Sequence, residues 1–253
     1  MQLSLQGKSV LVAGSSRGIG RAIGEAFLAE GSQVAFNGRN LGDLELVVAS
    51  NSDGKAIAIC GDVSKPNQSS EVIKQTLEAF DKLDILICSV GNGRSVAPGS
   101  ETHAEWLRVF EQNLWTTTNM VEASKEALAQ THGAIVCISS ICGQEVIDGA
   151  PITYSVAKAA LNSYVRGIAR PLGKDGVRIN AIAPGNILFE GSVWQRKLNE
   201  DASAVKKMLA RDVALAKLGT PQDVANLALW LASPAASFCT GSIFVADGGQ
   251  VHT

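Results

Sequence analysis

The segment "LVAGSSRGIG", residues 11–20, joins an apolar run to a helical pattern through three glycines. Glycines here allow a tight turn, a close approach of the backbone to a phosphate, and close packing of helix on strand. The helix that follows offers the free N–H groups and the positive dipole of its first turn to a pyrophosphate. The segment therefore predicts a dinucleotide site. The residues expected to line it are Gly14, Ser16, Arg17, Gly18, Ile19 and Gly20.

Short runs rich in valine and isoleucine alternate with longer amphipathic segments along the rest of the chain. The predicted strands are 8–13, 33–36, 55–60, 84–88, 134–138, 177–182 and 242–245. The predicted helices are 18–30, 41–49, 67–80, 103–130, 153–173 and 221–231. Strands that alternate with helices favour an α/β fold with a parallel sheet covered on both faces. We expect one Rossmann-like, doubly wound domain over residues 1–253, with a seven-stranded parallel sheet.

The segment 189–220 interrupts this alternation because it is too long for an ordinary connection. Its apolar residues recur at roughly helical spacing, among them Trp194, Val205 and Leu209. The segment is either a helical pair that covers core or a lid over a site at the strand ends. Its length favours a substrate lid.

Composition excludes several classes of function. The formal net charge is -2, so no basic surplus attracts nucleic acid or an anionic membrane. No apolar run approaches the roughly 20 residues of a membrane helix, and the first residues do not read as a signal peptide. The five cysteines form no C-x-x-C pair and the three histidines are scattered. We expect reduced thiols, a cytoplasmic location and no metal site.

The choice of dinucleotide depends on charge at the end of the second predicted strand. An NAD site usually has a carboxylate there for the ribose 2′-hydroxyl. This chain has Gly38 and Arg39 instead, and Arg17 lies in the glycine loop. Two guanidinium groups suit a 2′-phosphate, so NADP(H) is the expected cofactor. The alternative is that both arginines are solvated surface residues.

The stretch "ITYSVAK", residues 152–158, places a phenol and an ammonium on one helix face, at positions i and i+4. Upstream, Ser139 and Ser140 end an apolar strand. A nearby cation favours the phenolate and lowers the pKa of a tyrosine, which makes proton exchange easier. The group Ser140, Tyr154 and Lys158 is therefore either an accident of composition or a proton-transfer site, and the other motifs favour the site.

The chain resembles the compact type of short-chain dehydrogenases/reductases along essentially its whole length. The motifs that carry the resemblance are "AGSSRGIG" at 13–20, "GDV" at 61–63, Asn113 in "EQNLWT", "ISS" at 138–140, "YSVAK" at 154–158, "NAIAPG" at 180–185 and "ADGG" at 246–249. The resemblance implies that Tyr154 is the general acid/base and that Lys158 is its partner. Ser140 would hold the substrate oxygen, with Ser139 as the alternative, and Asn113 would fix a water that links Lys158 to solvent.

The same resemblance implies further contacts with the cofactor. Asp62 and Val63 would contact the adenine, and Gly91 would lie near the adenosine ribose. Pro184 and Gly185 form a turn, after which Ile187 would contact the nicotinamide carboxamide, although Val63 and Ile187 are as readily explained by packing. The sequence departs from the family pattern in three places. Residues 88–91 read CSVG instead of NNAG, and Ala13 and Phe189 each replace a threonine.

The implied function is an NADP(H)-dependent oxidoreductase that interconverts a ketone and a secondary alcohol. The alternatives are a 3-oxoacyl-[acyl-carrier-protein] reductase, a catalytically silent nucleotide sensor, and an epimerase or dehydratase. Relatives that use an acidic carrier place basic residues at positions that here are Thr131 and Asp175, so we expect a free, small carbonyl substrate. Family members pair two long helices in homotetramers, and we expect a homotetramer or a dimer. The apolar residues taken to indicate this pairing are Leu128, Ala159, Leu161, Val165 and Ile168.

Overall fold

A computed structural model describes residues 2–51 and 54–252. Its parallel strands form one seven-stranded sheet in the order β3-β2-β1-β4-β5-β6-β7. The strands are β1 (Ser9–Ala13), β2 (Gln33–Gly38), β3 (Ala56–Cys60), β4 (Ile85–Cys88), β5 (Ala134–Ile138), β6 (Arg178–Pro184) and β7 (Ile243–Ala246). The doubly wound α/β fold and the seven-stranded sheet are therefore confirmed.

Helices cover both faces of the sheet. They are α1 (Gly18–Ala29), α2 (Leu41–Ala49), α3 (Pro66–Phe80), α4 (His103–Phe110), α5 (Thr116–Thr131), α6 (Ile152–Gly173), α7 (Val193–Asp212) and α8 (Pro221–Ala232). Helices α1, α2 and α8 pack on one face, and α3, α5 and α6 pack on the other. A sheet covered in this way explains why its strands read as continuous apolar runs.

Strand β1 shows how the alternation of side chains serves two cores. Val10 and Val12 point into the core beneath α1 and α8, together with Phe27. Leu11 points into the opposite core, together with Leu161 of α6. Because successive side chains of a strand point to opposite faces, each strand contributes to both cores at once.

The strand order reverses between β1 and β4, which run side by side although they are far apart in sequence. In open α/β sheets a ligand binds beyond the carboxyl ends of the strands at this reversal. Gly14 follows β1 and Val90 follows β4, and a methyl group added at Gly14 would lie 2.8 Å from the Val90 nitrogen. The two turns therefore touch where the fold predicts a ligand.

The prediction of a single long helix at 103–130 was wrong in detail. A π-helical segment, Glu111–Trp115, separates α4 from α5. Such segments arise when one extra residue enters a helix, and they occur frequently at functional sites. The helical periodicity continues on both sides, which is why the sequence pattern did not reveal the break. Asn113 lies at the centre of the π segment.

The segment 189–220 contains α7, whose backbone is non-helical at Asp201. The Asp201 carboxylate accepts a hydrogen bond from the Ala204 N–H at 2.8 Å, so it caps the second half of the helix. The segment has a small core of its own, Val205, Leu209 and Val213, which Trp194 and Leu198 partly cover. An isolated bridge between Ile187 and Gly219 joins its two ends. Whether it works as a lid stays a prediction.

Two arguments made from sequence do not match the structure. Leu128, Leu161 and Val165 are fully buried in this chain's own core, so they indicate no partner subunit, whereas Ala159 is exposed. Helices that pack on both a sheet and a neighbouring helix need apolar residues on more than one face.

The second argument concerns the two positions expected beside the site. Thr131 precedes β5 and Asp175 precedes β6. Both lie at the amino edge of the sheet, opposite the end where β5 meets Ser140, and so are not beside the site.

The amino edge of the sheet is held by a buried carboxylate. Asp84 is 5% exposed, and it accepts hydrogen bonds from Lys8 Nζ at 2.9 Å and from the Ser9 N–H at 3.0 Å. Lys82 contacts its second oxygen at 2.9 Å. Burial raises the pKa of Asp84, but the bonds from Ser9, Lys8 and Lys82 outweigh burial and hold the pKa below its usual range.

Within the described residues, no helix is long and apolar enough to cross a membrane.

We expect Asp84→Asn to lower the free energy of unfolding by about 2 kcal/mol at pH 7. Breaking a fully buried pair costs about 3–5 kcal/mol, but here both lysines are partly exposed. Because the pKa of Asp84 is lowered in the folded state, its carboxylate stabilises the fold at pH values above its unfolded pKa of about 4. This stabilisation is lost as the pH falls through the folded pKa. Urea unfolding at pH 7 and pH 3 measures the difference in unfolding free energy between wild type and Asp84→Asn, and this difference should be smaller at pH 3. Asp81→Asn, at the exposed end of α3, is the control. Equal stability of both variants at pH 7 would contradict the assignment.

Candidate active site

The glycine loop brings the start of α1 against the ends of two strands. A methyl group added at Gly20 would lie 2.1 Å from the Gly14 carbonyl oxygen, so only glycine allows this approach. Gly18 has a φ of +59°, and an added methyl group there would lie 2.6 Å from the Phe189 ring. Arg17, which precedes α1, makes no side-chain cap. The first turn of α1 therefore keeps its N–H groups free for an anion.

The end of β2 carries no carboxylate, as the sequence indicated. Gly38 packs near Ser16 and is followed by the exposed Arg39. Arg17 is also exposed, and its guanidinium reaches toward Gly191 at the start of the 189–220 segment. Within residues 2–51 and 54–252, neither guanidinium pairs with a carboxylate. Both arginines line one cavity of about 1440 Å³.

Lys158 lines this cavity but is buried, with 2% of its surface exposed. Its ammonium donates a hydrogen bond to the Ile138 carbonyl at the end of β5, at 2.9 Å. A methyl group added at Gly91 would lie 3.1 Å from Lys158 Nζ. Burial lowers the pKa of Lys158 to about 8. The lysine therefore joins the end of β5, helix α6 and the loop after β4.

Tyr154 lies one helical turn before Lys158, and its ring centroid is 5.9 Å from the lysine nitrogen. Burial raises the pKa of Tyr154 to about 12, although a hydrogen bond with Ser140 lowers it in part. The phenol thus stays protonated in the protein alone. A positive charge in addition to the Lys158 ammonium is needed to bring the pKa of Tyr154 toward neutrality.

The two candidate serines have different surroundings. Ser139 donates to Asn162 Oδ1 at 2.6 Å, and Asn162 in turn donates to the Gly143 carbonyl at 3.0 Å. Ser140 lies beside Tyr154 and accepts the Cys142 N–H at 3.2 Å. Ser139 is therefore engaged in a structural bond, and Ser140 is the serine whose hydroxyl faces the phenol.

Asn113 is fully buried and anchors the loop after β4. Its Oδ1 accepts the Asn92 N–H at 2.9 Å, and its Nδ2 donates to the Asn92 carbonyl at 3.2 Å. Nδ2 also donates to the Val109 carbonyl at 3.0 Å. Its oxygen would lie 3.1 Å from a methyl group at Gly91, the same distance as Lys158 Nζ. The π segment thus holds Asn113 against the loop, with its amide oxygen on the same side of Gly91 as Lys158 Nζ.

Most of the predicted site residues line the cavity. Those that do are Gly14, Ser16, Arg17, Ile19, Gly20, Arg39, Asp62, Val63, Gly91, Ser140, Tyr154, Lys158, Pro184, Gly185 and Ile187. Gly18 and Asn113 lie behind its wall and reach it through Phe189 and Gly91. Val63 and Ile187 are also largely buried, so packing explains part of their presence. Sequence reasoning missed Ser95, Cys142 and Asn162, since a lone serine, cysteine or asparagine carries no motif.

A family model described as enoyl-(acyl carrier protein) reductase matches residues 13–251. The chain belongs to the short-chain dehydrogenase/reductase family. It is therefore an oxidoreductase, of a family that acts on CH–OH groups and binds nicotinamide cofactors. Glucose 1-dehydrogenase 2 of Bacillus subtilis (strain 168) is 31% identical and aligns with 99% of this chain and 97% of its own. The 3-oxoacyl-[acyl-carrier-protein] reductase of Synechocystis sp. (strain ATCC 27184 / PCC 6803 / Kazusa) is 32% identical, with 98% of each chain covered.

Solved structures of similar proteins have the same fold. L-sorbose reductase from Gluconobacter frateurii, complexed with NADPH and L-sorbose, superposes with a TM-score of 0.93 at 25% identity, over 100% of both chains. A 7α-hydroxysteroid dehydrogenase complexed with NADH and 7-oxo glycochenodeoxycholic acid superposes with a TM-score of 0.90 at 28% identity. The match covers 100% of this chain and 97% of that one. These relatives differ in both cofactor and substrate.

We expect Lys158→Met to raise the free energy of unfolding by about 1–2 kcal/mol at pH 7. A pKa lowered from about 10.4 to about 8 corresponds to roughly 3 kcal/mol of destabilisation by the buried charge, from which the lost bond to Ile138 subtracts about 1. The charged lysine destabilises the fold fully below pH 8, and this effect disappears as the pH rises from 8 to about 10. Urea unfolding across that range should show the advantage of the variant shrinking. Lys174→Met, on the exposed end of α6, should show no such trend. A variant less stable than wild type at pH 7 would contradict the expectation.

Proposed function

We propose that this chain is an NADP(H)-dependent oxidoreductase that interconverts a ketone and a secondary alcohol. The observation that carries the proposal is the grouping at the end of β5. Tyr154 faces the Ser140 hydroxyl and shares a helix face with the buried ammonium of Lys158. A phenol, a hydroxyl and an ammonium that line one cavity beside a glycine loop fit carbonyl chemistry.

The residues present fit a dinucleotide. The uncapped first turn of α1 suits a pyrophosphate, and the close approach of Gly20 to the Gly14 carbonyl keeps side chains out of that groove. Asp62 and Val63 line the cavity beyond β3, where an adenine would be held. Pro184, Gly185 and Ile187 line it beyond β6, where the resemblance places the nicotinamide.

Charge at the end of β2 favours a 2′-phosphate. Arg39 and Arg17 are exposed on the cavity wall, and Gly38 contributes no carboxylate that would repel an anion. The relatives do not decide this point, since one solved neighbour is complexed with NADH and another with NADPH. An L-rhamnose 1-dehydrogenase (NAD(P)(+)) of Sphingomonas sp. (strain SKA58) is 33% identical. The preference for NADP(H) therefore rests on the two arginines.

In the proposed mechanism, Tyr154 transfers the proton and Ser140 holds the substrate oxygen. The bound nicotinamide cofactor supplies or accepts the hydride and carries a positive charge in its oxidised form. In the direction of reduction, the Tyr154 phenol gives its proton to the carbonyl oxygen as that oxygen gains charge. The Ser140 hydroxyl donates a second hydrogen bond to the same oxygen, which orients the carbonyl toward the phenol.

Lys158 and Asn113 would return the proton to Tyr154. The ammonium lies near the phenol and favours its ionised form. Its bond to the Ile138 carbonyl fixes its position, and the ammonium and the Asn113 amide oxygen approach the same side of Gly91. Asn113 bonds both the N–H and the carbonyl of Asn92, which fixes the loop beside the ammonium. We propose that a water between Asn113 and Lys158 links the lysine to solvent.

The proposed substrate is a small, free carbonyl compound. Phe189 and Trp194 line the cavity from the 189–220 segment, which we propose to act as a lid. The absence of basic residues at Thr131 and Asp175 no longer argues against an acyl carrier, because both lie at the opposite edge of the sheet. A 3-oxoacyl-[acyl-carrier-protein] reductase stays the alternative, supported by relatives of that name. A homotetramer or dimer and a cytoplasmic location stay predictions.

We expect Tyr154→Phe to reduce turnover at least 100-fold in an NADPH oxidation assay with a panel of free ketones and a 3-oxoacyl thioester. Ser140→Ala should reduce it by a similar order, because the substrate oxygen loses its second donor. Ser139→Ala is the matched control. It should lose about 1–3 kcal/mol of stability, since Asn162 is left without its donor, yet keep most turnover. The proton-transfer role fails if Tyr154→Phe keeps more than a tenth of wild-type turnover.

Arg39→Ala should remove most of a 10- to 1000-fold preference for NADPH over NADH and leave NADH affinity nearly unchanged. Charge-assisted bonds contribute about 1.5–3 kcal/mol each, and exposure reduces that contribution. The preference should also decrease with added salt. Fluorescence titration with both cofactors measures it. Arg21→Ala is the control because it removes the same charge from α1, where Arg21 pairs with Glu25. Equal affinity of the wild type for both cofactors would contradict the proposed role of the arginines.

A further inference from the structure

A chain of polar contacts joins α4 to the first turn of α6. Ser95 Oγ lies 2.7 Å from Glu105 Oε1 and 2.6 Å from Thr153 Oγ1. Thr153 is fully buried and immediately precedes Tyr154. Ser95 itself lies in the loop after β4 and lines the cavity. Three elements distant in sequence therefore meet at one serine hydroxyl.

The carboxylate end of this chain of contacts is fixed by an arginine. Arg108 Nε donates to Glu105 Oε2 at 2.8 Å, and Arg108 Nη2 lies 2.5 Å from Oε1. The same guanidinium donates to the Arg94 carbonyl at 3.0 Å and to Gln112 Oε1 at 3.2 Å. The bond from Arg108 holds the pKa of Glu105 at about 2, so the carboxylate stays ionised at neutral pH. An ionised, bidentate acceptor fixes the orientation of the Ser95 hydroxyl.

The first turn of α6 depends on this contact more than most helix starts would. Its N-cap residue is Pro151, which provides no side-chain cap. Tyr154 therefore lies in a turn that lacks the usual capping side chain. Thr153 supplies an anchor instead, through a buried hydroxyl directed at Ser95.

The same loop passes beside the phenol. A methyl group added at Gly93 would lie 3.8 Å from Cε1 and Cζ of Tyr154, so the glycine backbone lies next to the ring. Asn113 and Arg108 hold the loop on either side of Gly93, at Asn92 and Arg94. The backbone beside the Tyr154 ring is thus fixed from α4 and from the π segment.

We propose that Ser95, Thr153 and Glu105 are positioning residues that hold the Tyr154 phenol in place for proton transfer. The inference rests on the proposed function of Tyr154 and adds these three residues to it. None of them needs to touch the substrate. The alternative is that the contacts only stabilise the junction of α4 and α6. The two roles differ in what they change, since a positioning role alters the phenol and the chemical step while binding of the cofactor is kept.

The test compares Thr153→Val, Ser95→Ala and Glu105→Gln with Glu122→Gln. Valine has nearly the shape of threonine, so Thr153→Val removes the buried hydroxyl with little change of packing. Glu122 forms an i,i+3 ion pair with Lys125 on α5, so Glu122→Gln is the control for Glu105→Gln away from the site. We expect kcat to fall about tenfold in Thr153→Val, in Ser95→Ala and in Glu105→Gln, with the Kd for NADPH within twofold of wild type. Thr153→Ser, which keeps the hydroxyl, should recover most of kcat, and Glu122→Gln should match wild type.

Two further readouts keep the outcome decisive. The double variant Ser95→Ala/Thr153→Val should lose no more kcat than Ser95→Ala alone, because Ser95→Ala already removes the contact with Thr153. The chain has two tyrosines, so ¹³C-labelling of the tyrosine Cζ in a Tyr164→Phe background isolates Tyr154 by NMR. Its resonance should move in Thr153→Val and stay in place in Glu122→Gln. An unmoved resonance, or a kcat within twofold of wild type in both single variants, would overturn the inference. If the wild type reduces no carbonyl, the proposed function fails, and the NMR comparison still decides the positioning role.

Discussion

A charged amine buried among backbone groups is the constraint on which the site depends. The Lys158 ammonium is almost fully shielded from water and is bonded to the Ile138 carbonyl where β5 ends. Burying such a charge is unfavourable, which the lowered pKa of Lys158 reflects. The ammonium is held between the end of β5, where it bonds Ile138, and the loop at Gly91. Helix α6 is thereby fixed in both rotation and height against β5.

This constraint sets the position of the other groups. Since Lys158 is fixed, Tyr154 one turn earlier must lie at the mouth of the same cavity. Strand β5 supplies the lysine's acceptor and then, two residues later, Ser140 beside the phenol. One strand end therefore provides both the anchor of the lysine and the partner of the tyrosine. The π segment completes the arrangement, because Asn113 bonds the backbone of Asn92 in the loop that passes Lys158.

The sequence predicted features that depend on local pattern. The alternation of apolar runs and amphipathic segments gave all seven strands to within a few residues, and the glycine loop located the first turn of α1. Features that depend on contacts distant in sequence were not predictable. The bond from Ser139 to Asn162 spans 23 residues, so the roles of the two serines could not be separated without the structure. The sequence pattern predicts a partner subunit for the apolar faces that carry Leu128 and Leu161, but both residues are buried within this chain, because a helix packed on two neighbours is apolar on two faces.

The π segment at Glu111–Trp115 has a consequence for how this chain tolerates insertions and deletions. A π-helical turn is an α-helix that holds one residue too many. Removing a residue of the segment other than Asn113 would let α4 and α5 fuse into a regular helix with better backbone hydrogen bonds. Because the wide turn absorbs the extra residue, α4 and α5 would keep their present faces, and only the side chains displayed by the turn itself would change. Asn113 would then lose the position from which it contacts both backbone groups of Asn92. The extra residue thus keeps the helix less regular than it could be, and shortening it by one would stabilise the helix and disconnect the site.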